Sequence, residues 1–369
     1  MQFAFTDEQN LIRETVFAAI GEAGERNRLF KVMENDGFDR EAWMLLTKEL
    51  MLSGAAFAEA YGGSGLGFVE LGSVQEALGR HLVPTPFLTS VIMSGMGIDL
   101  CGSEAQKKAW LPDIITGEKI VAFAHLDMSG HFTEGRCPAR LAADGTLSGD
   151  ISMVQYGHFA DALLVLAENA AAESVLVLVD VNQDGVVITP KTSMDLTRPV
   201  SEVSLENVKP ESDRILSNSE KVAKVLDIAR IMLAVEQMGA AEGALELANI
   251  YAKDREQFGR PIGSFQAVKH RLADMMVMLE SAKSAAWYAV CTAQEVEAEI
   301  PVAASTAAIV CSRALSKNAA HGIQLHGGMG FTWECMAHLY FKRARTSALI
   351  LGSPEMHREK LADFVFTAA

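Results

Sequence analysis

The sequence predicts an α+β protein, mostly α. A helical N-terminal domain and a C-terminal four-helix bundle flank a central β-sandwich or barrel domain. Three observations carry this. Apolar residues recur at helical spacing through Glu118 and again from Glu220 onward. Between them, short apolar runs of strand length are separated by Gly, Asn and Asp turns. The class of element changes twice along the chain, as separate domains require. The expected boundaries are 1–118, 119–218 and 219–369. At 369 residues and 49% hydrophobic, the chain exceeds one ordinary core.

The elements follow in order. Thr6-Asp7-Glu8-Gln9 has the form of a capping box, opening a helix through Leu11, Val16 and Ile20. Glu41 to Leu50 reads as a second helix. Tyr61 to Gly67 is glycine-rich but has no preceding strand and no P-loop Lys-Ser/Thr, so it is read as a connection. Phe68 to His81, Phe87 to Leu100 and Ser103 to Trp110 are helical, ending near Pro112 and Gly117. Strands are expected at 120–125, 147–154, 162–167, 175–179, 186–189 and 200–205, followed by a polar connector at 211–218. Helices are then expected at 221–257, 265–297 and 302–322, with a last one from Pro354 after a glycine break. The Met275, Met276 and Met278 face reads as packed bundle core.

Charge narrows the function. A formal net charge of −15 repels nucleic acid and anionic membranes, so neither is expected as a partner. An anionic ligand then needs local basic residues. Cys101, Cys137, Cys291, Cys311 and Cys335 show neither C-x-x-C spacing nor a metal pattern, which suits a reducing cytoplasm. The N-terminus MQFAFTDEQN has no secretory signal pattern, and no run of about 18 apolar residues occurs. His125, His131 and His158 are read as loop histidines, and no metal is expected.

One stretch concentrates chemistry: Tyr251 to Met275, YAKDREQFGRPIGSFQAVKHRLADM. A helix breaks at Phe258-Gly259-Arg260-Pro261, because Gly reaches positive φ and Pro cannot continue a helix. It restarts near Ser264, a candidate cap. The expected result is a helical hairpin gathering Arg255, Phe258 and Gln266. A cation, a ring and an amide suit a ligand with a phosphate, a stackable base and hydrogen-bonding edges. An ordinary junction with a solvated Arg is the other reading of the same residues.

That stretch, together with Gln324 to Phe331 (QLHGGMGF) and the α–β–α order, resembles the acyl-CoA dehydrogenase family over essentially the whole chain. The resemblance implies FAD, an acyl-CoA thioester substrate, electron-transfer flavoprotein as acceptor and a tetramer built from two dimers. It implies that Arg255, Phe258, Gln266, Gln324, Leu325, His326, Gly327 and Gly328 hold the adenosine and pyrophosphate end of a neighbouring subunit's FAD. The reaction it implies is α,β-dehydrogenation: a carboxylate takes the α proton while the β hydride leaves to the flavin.

The sequence departs from the family at the base. Leu351, in Leu349-Ile350-Leu351-Gly352-Ser353, stands where most members carry a Glu. The alternative position on the first bundle helix is Ala229. Glu236 lies seven residues on, about 20° round and about 10 Å along the same face. With apolar neighbours Ala234, Val235 and Met238, burial would raise its pKa, so Glu236 is the candidate base, with a solvated or interface carboxylate as its other reading. Asp227 and Arg230 match the family's substrate-contacting D-x-x-R, and a helix ion pair is their other reading. The flavin-ring motif is reduced to Asp127 in Leu126 to Thr133. The run Met153-Val154-Gln155 replaces the usual aromatic, leaving Gln155 to hydrogen-bond the ring. A chain with one half of a shared site kept and the other eroded resembles subunits of the heteromeric sterol side-chain type. A paralogous partner is therefore expected, with a homotetramer as the alternative. A partner subunit that completes a neighbour's FAD site without doing chemistry is the competing function.

Overall fold

The computed structural model describes residues 5–216 and 218–367. The N-terminal reading at Met1 to Ala4 and position 217 of the expected connector lie outside them. Helix α1 (Asp7–Ala23) opens on the predicted box: the Thr6 hydroxyl accepts from the Gln9 N–H at 3.2 Å, and Gln9 Oε1 accepts from the Thr6 N–H at 3.1 Å. Helix α2 (Arg26–Asn35), absent from the sequence reading, buries Leu29 and Met33 one turn apart. Helix α3 (Arg40–Met44) runs on as a π turn at Leu45–Glu49. Helix α4 (Phe68–His81) begins where the glycine loop ends. A π-helical stretch, Phe87–Gly95, leads into α5 (Met96–Cys101). Helix α6 (Glu104–Ile115) is capped by Ser103 and continues through Pro112.

The β domain is one mixed eight-stranded sheet. Its strands are β1 (Val121–Ala124), β2 (Ala139–Leu141), β3 (Leu147–Gln155), β4 (Ala162–Glu168), β5 (Ser174–Asp180), β6 (Val186–Lys191), β7 (Val200–Val208) and β8 (Ile215–Leu216). The order is β6-β7-β3-β2-β4-β5-β8, with β1 parallel to β4. Strands β4 and β5 are buried along nearly their whole length, which is why they read as continuous apolar runs. Strands β2 and β8 are three and two residues long, too short to show a period. Strand β8 sits within the expected polar connector, with Leu216 opposite Leu176.

The C-terminal domain holds α7 (Val222–Asp254), α8 (Gln266–Glu295), α9 (Ile300–His326), α10 (Ala337–Ile350) and α11 (Pro354–Thr367). Helix α10 was not anticipated. Its buried face runs through Leu339, Tyr340, Arg343, Ala344, Ser347 and Ile350, and the arginine and serine in it mask the apolar period. The α9 region is long and apolar enough to cross a membrane, yet half of it is buried as α9 packs on α7, α8, α10 and α11. Helices α4 and α7 meet backbone to backbone. A Cβ at Gly79 would lie 2.0 Å from the Glu236 carbonyl oxygen, and one at Gly239 would lie 2.1 Å from that of Glu76. Glycine on both helices allows this approach, which holds the N-terminal domain at the level of Glu236.

Candidate active site: an outer face and a domain junction

The α7–α8 connection is more elaborate than a helical turn. Strands β9 (Glu256–Gln257) and β10 (Arg260–Pro261) pair around Phe258 and Gly259. Both turn residues have positive φ, 55° and 76°, as a two-residue type I′ hairpin requires. A phenylalanine held there is strained by about 1–2 kcal/mol. Its side chain is 92% exposed and meets the Phe265 ring edge-on at 6.1 Å, while the Arg260 guanidinium lies over Phe265 at 4.1 Å. The restart also differs from expectation. The Ser264 hydroxyl donates to the Pro261 carbonyl at 2.7 Å, and Phe265 occupies the N-cap of α8 with no side-chain cap.

Arg255, Gln266, Gln324, Gly327 and Gly328 are all exposed, and Leu325 is half-buried. His326 is buried, stacked on Tyr251 at 4.2 Å, and its Nδ1–H donates to the Gly322 carbonyl at 2.7 Å. That stack ties the end of α7 to the end of α9. It sets the hairpin and the glycine turn at one end of the bundle. Among the described residues, nothing beyond the adjoining chain lies within 4 Å of a Cβ built at Gly259, Gly327 or Gly328, so a ligand can approach the backbone there. The exposed side chains of Phe331 and Trp333 follow the turn. Open backbone, a free ring and a cation fit the adenosine and pyrophosphate end of FAD.

A second site lies between the sheet and α10. A cavity of about 130 Å³ is walled by Leu126, Met153, Gln155 and Val200 on one side and by Arg345, Leu349 and Ile350 on the other. The stretches whose ring motif is eroded in sequence therefore still form a wall. Apolar faces with two buried polar side chains, the Gln155 amide and the Arg198 guanidinium, fit a planar heteroaromatic ring.

Beside this cavity sits a buried charge cluster. Glu236 Oε1 accepts from Arg343 Nη1 at 2.7 Å and from Arg198 Nη2. Arg343 Nε donates to Asp195 Oδ2 at 2.8 Å, and its Nη2 donates to the Thr197 carbonyl at 3.0 Å. Arg198 Nη1 donates to the Ser347 hydroxyl at 2.9 Å. All four charged residues are buried. Burial opposes the charge on Arg343, but the Asp195 and Glu236 carboxylates outweigh it and hold its pKa up. Burial likewise opposes ionisation of Asp195, and Arg343 and Arg198 reverse that to hold it down. For Arg198 burial prevails and lowers the pKa, with Glu236 opposing.

The apolar surroundings expected for Glu236 are thus replaced by two guanidinium groups. Its sequence neighbours do not report them, because they arrive from the 195–198 loop and from α10. Both guanidinium hydrogen bonds land on Glu236 Oε1, so the carboxylate is charge-paired rather than set in an apolar pocket.

Asp227 and Arg230 are buried in a network of their own. Arg230 donates to Asp227 Oδ1 at 2.5 Å, to Glu134 Oε2 at 2.8 Å and, through Nε, to the Leu351 carbonyl at 3.1 Å. Lys360 lies 3.3 Å from Asp227 and 3.4 Å from Glu134. His125 Nε2–H donates to the Ile350 carbonyl at 2.7 Å, and burial pushes the His125 pKa down to about 4. The turn carrying Leu351 is therefore pinned from two sides. The space among Arg230, Leu233, Gln237, Leu351 and His357 is a cavity of about 10 Å³, room for at most about one water. His158 Nδ1 bonds the Ser201 hydroxyl at 2.8 Å and His131 is exposed, so each histidine has a separate setting. Among the described residues no group of three or more His, Cys, Asp or Glu could hold a metal.

Residues 6–118 match the N-terminal domain model of acyl-CoA dehydrogenases, and residues 220–366 match the C-terminal one. The chain belongs to the acyl-CoA dehydrogenase family. It is similar to the acyl-CoA dehydrogenase IpdE2 of Mycobacterium tuberculosis, 33% identical over 94% of each chain. Among solved structures it resembles a chain of the ChsE4-ChsE5 complex from Mycobacterium tuberculosis, with TM-score 0.90, 27% identity and 99% of both chains covered. It also resembles a chain of a variant of the Tcur3481-Tcur3483 steroid ACAD, with TM-score 0.89, 28% identity and 98% of both chains covered. As a member of an oxidoreductase family acting on acyl-CoA, this acyl-CoA dehydrogenase carries features that motif reading passed over. Asp195, Thr197, Arg198, Arg343 and Ser347 were all missed. The signal available was an arginine inside an otherwise apolar helical stripe, Leu339 to Ile350, and an Asp-Leu-Thr-Arg run between two strands.

Proposed function

We propose that the chain is one subunit of a heteromeric, FAD-dependent acyl-CoA dehydrogenase that converts the Cα–Cβ single bond of a thioester into a double bond. The observation that supports this is the outward face at the end of α7 and α9. Arg255, Phe258, Gln266 and Gln324 stand exposed around open glycine backbone, arranged to grip a ligand carried by a neighbouring subunit. FAD, when bound, supplies the two-electron acceptor. Arg255 pairs with pyrophosphate charge, Phe258 offers an apolar face, and Gln155 meets the polar edge of a ring in the cavity beside α10. Likeness to a chain of a steroid ACAD supports a bulky acyl group as substrate. Electron-transfer flavoprotein is the proposed acceptor and the cytoplasm the proposed compartment.

A second reading has a specific observation behind it. In it this chain completes its neighbour's site, and the paralogous subunit holds the acyl group and the base. Glu236 is paired with two arginines, Leu351 has no proton to exchange, and the space beside Leu351 is about 10 Å³.

The test is the FAD-to-chain ratio, measured for the chain alone and co-purified with a paralogous subunit. We expect little FAD alone and a yellow, active complex. One FAD per chain in the isolated protein sinks the heteromeric reading. Glu236→Gln in the complex then tests the base: full turnover removes Glu236 from that role, and lost turnover with both FAD content and flavin potential unchanged supports it.

A further inference from the structure

We propose that Arg198 presents a buried positive charge to the ring of this chain's flavin, and that Glu236 is the positioning residue that aims it. The inference rests on the reading above that the cavity between the sheet and α10 receives a flavin ring. Arg198 forms part of two walls. On one side it lines that 130 Å³ cavity, and on the other it lines a small polar cavity of about 20 Å³ at the meeting of all three domains. The residue comes from the loop before β7, yet both its named hydrogen bonds go to the helical bundle, to Glu236 on α7 and Ser347 on α10. Its guanidinium therefore spans the crevice rather than folding back on its own domain.

The small cavity behind it is lined by Gln75, Thr85 and Tyr156, whose Nε2, Oγ1 and Oη are buried polar atoms without a hydrogen-bond partner among the described residues. Three such groups around about 20 Å³ have the polarity and room of a one-water site, and Arg198 joins this rear cavity to the ring cavity in front. Asp195, Glu236, Arg198 and Arg343 sum to zero charge. The cluster can stay buried as a unit while directing one positive end at the larger cavity. A cation at a low-dielectric wall favours the reduced, more negative ring over the oxidised, neutral one, and so raises the midpoint potential. Glu236 then contributes without exchanging a proton.

The experiment is the flavin midpoint potential of the purified complex, with flavin content and Tm measured in parallel. Arg198→Gln lowers the potential and Arg198→Lys keeps most of it. Glu236→Ala also lowers it, because the guanidinium loses its anchor. Removal of a negative charge alone would raise it, so the sign separates aiming from simple electrostatics. The double variant Arg198→Gln/Glu236→Gln leaves Arg343 paired with Asp195 and no buried carboxylate stranded. It guards against a folding failure and is expected to show a smaller fall. Full flavin content with an unchanged potential in both Arg198→Gln and the double variant overturns this proposal and leaves the flavin reading standing. A wild-type complex that binds no flavin overturns both.

Discussion

The outer face draws its residues from two short runs, 255–266 and 324–328, and leaves most of them exposed. The cluster at the domain junction draws Asp195, Arg198, Glu236 and Arg343 from three separate segments and buries all four. The difference divides binding from stability. Groups that wait for a neighbour contribute little to the fold of their own chain. Groups that have satisfied one another hold domains together, and their removal strands a partner in low dielectric.

The sharpest way to break this comparison is at Arg343. Arg343→Met leaves Asp195 and Glu236 without their shared partner, and unfolding measurements should show a loss of about 3–5 kcal/mol. A loss under about 1 kcal/mol would mean that the cluster does not hold the junction. The next effect is pH-dependent. His125 titrates at about 4 when folded against an ordinary value of 6.5, so below pH 6.5 the unfolded chain binds more protons. Its contribution, about 3 kcal/mol, is complete above pH 6.5 and is lost as pH falls toward 4. His125→Gln should make the stability profile shallower across that window, where His357 titrates alongside it, and an unchanged slope would rule the residue out. Third, Gly239→Ala drives a methyl group into the Glu76 carbonyl and should lower stability by about 1–3 kcal/mol. The smallest effects on folding belong to the outer face. Arg255→Ala and Phe258→Ala should leave the Tm of the isolated chain within about 2 °C, while the complex loses FAD. A large fall in Tm with FAD retained would reverse the roles assigned to the two regions.

The same contrast explains what could be read from sequence. The outer face is contiguous, so its motifs carry the family resemblance, and its residues lie at one end of the bundle. The hairpin inside it was invisible as β structure, because two pairs of residues give no period. The junction is assembled across separations of 38 and 107 residues, Arg198 to Glu236 and Arg343 to Glu236. Reading Glu236 by its neighbours on α7 gave an apolar setting, since the guanidinium groups come from elsewhere. Helix α10 escaped for a related reason: its buried arginine interrupts the apolar stripe that would have announced it. Helices α1, α4 and α7 to α9, whose periods are long and regular, emerged with boundaries close to those expected.

The glycine contact between α4 and α7 bears on how the molecule can move. Where one backbone rests on another, helices have no side-chain layer over which to slide, so shear between the N-terminal domain and the bundle is blocked. Those two domains travel as one body. The β domain is tied to that body through the 195–198 loop and the Glu134–Arg230 contact, whose ion pairs bridge to α7 and α10.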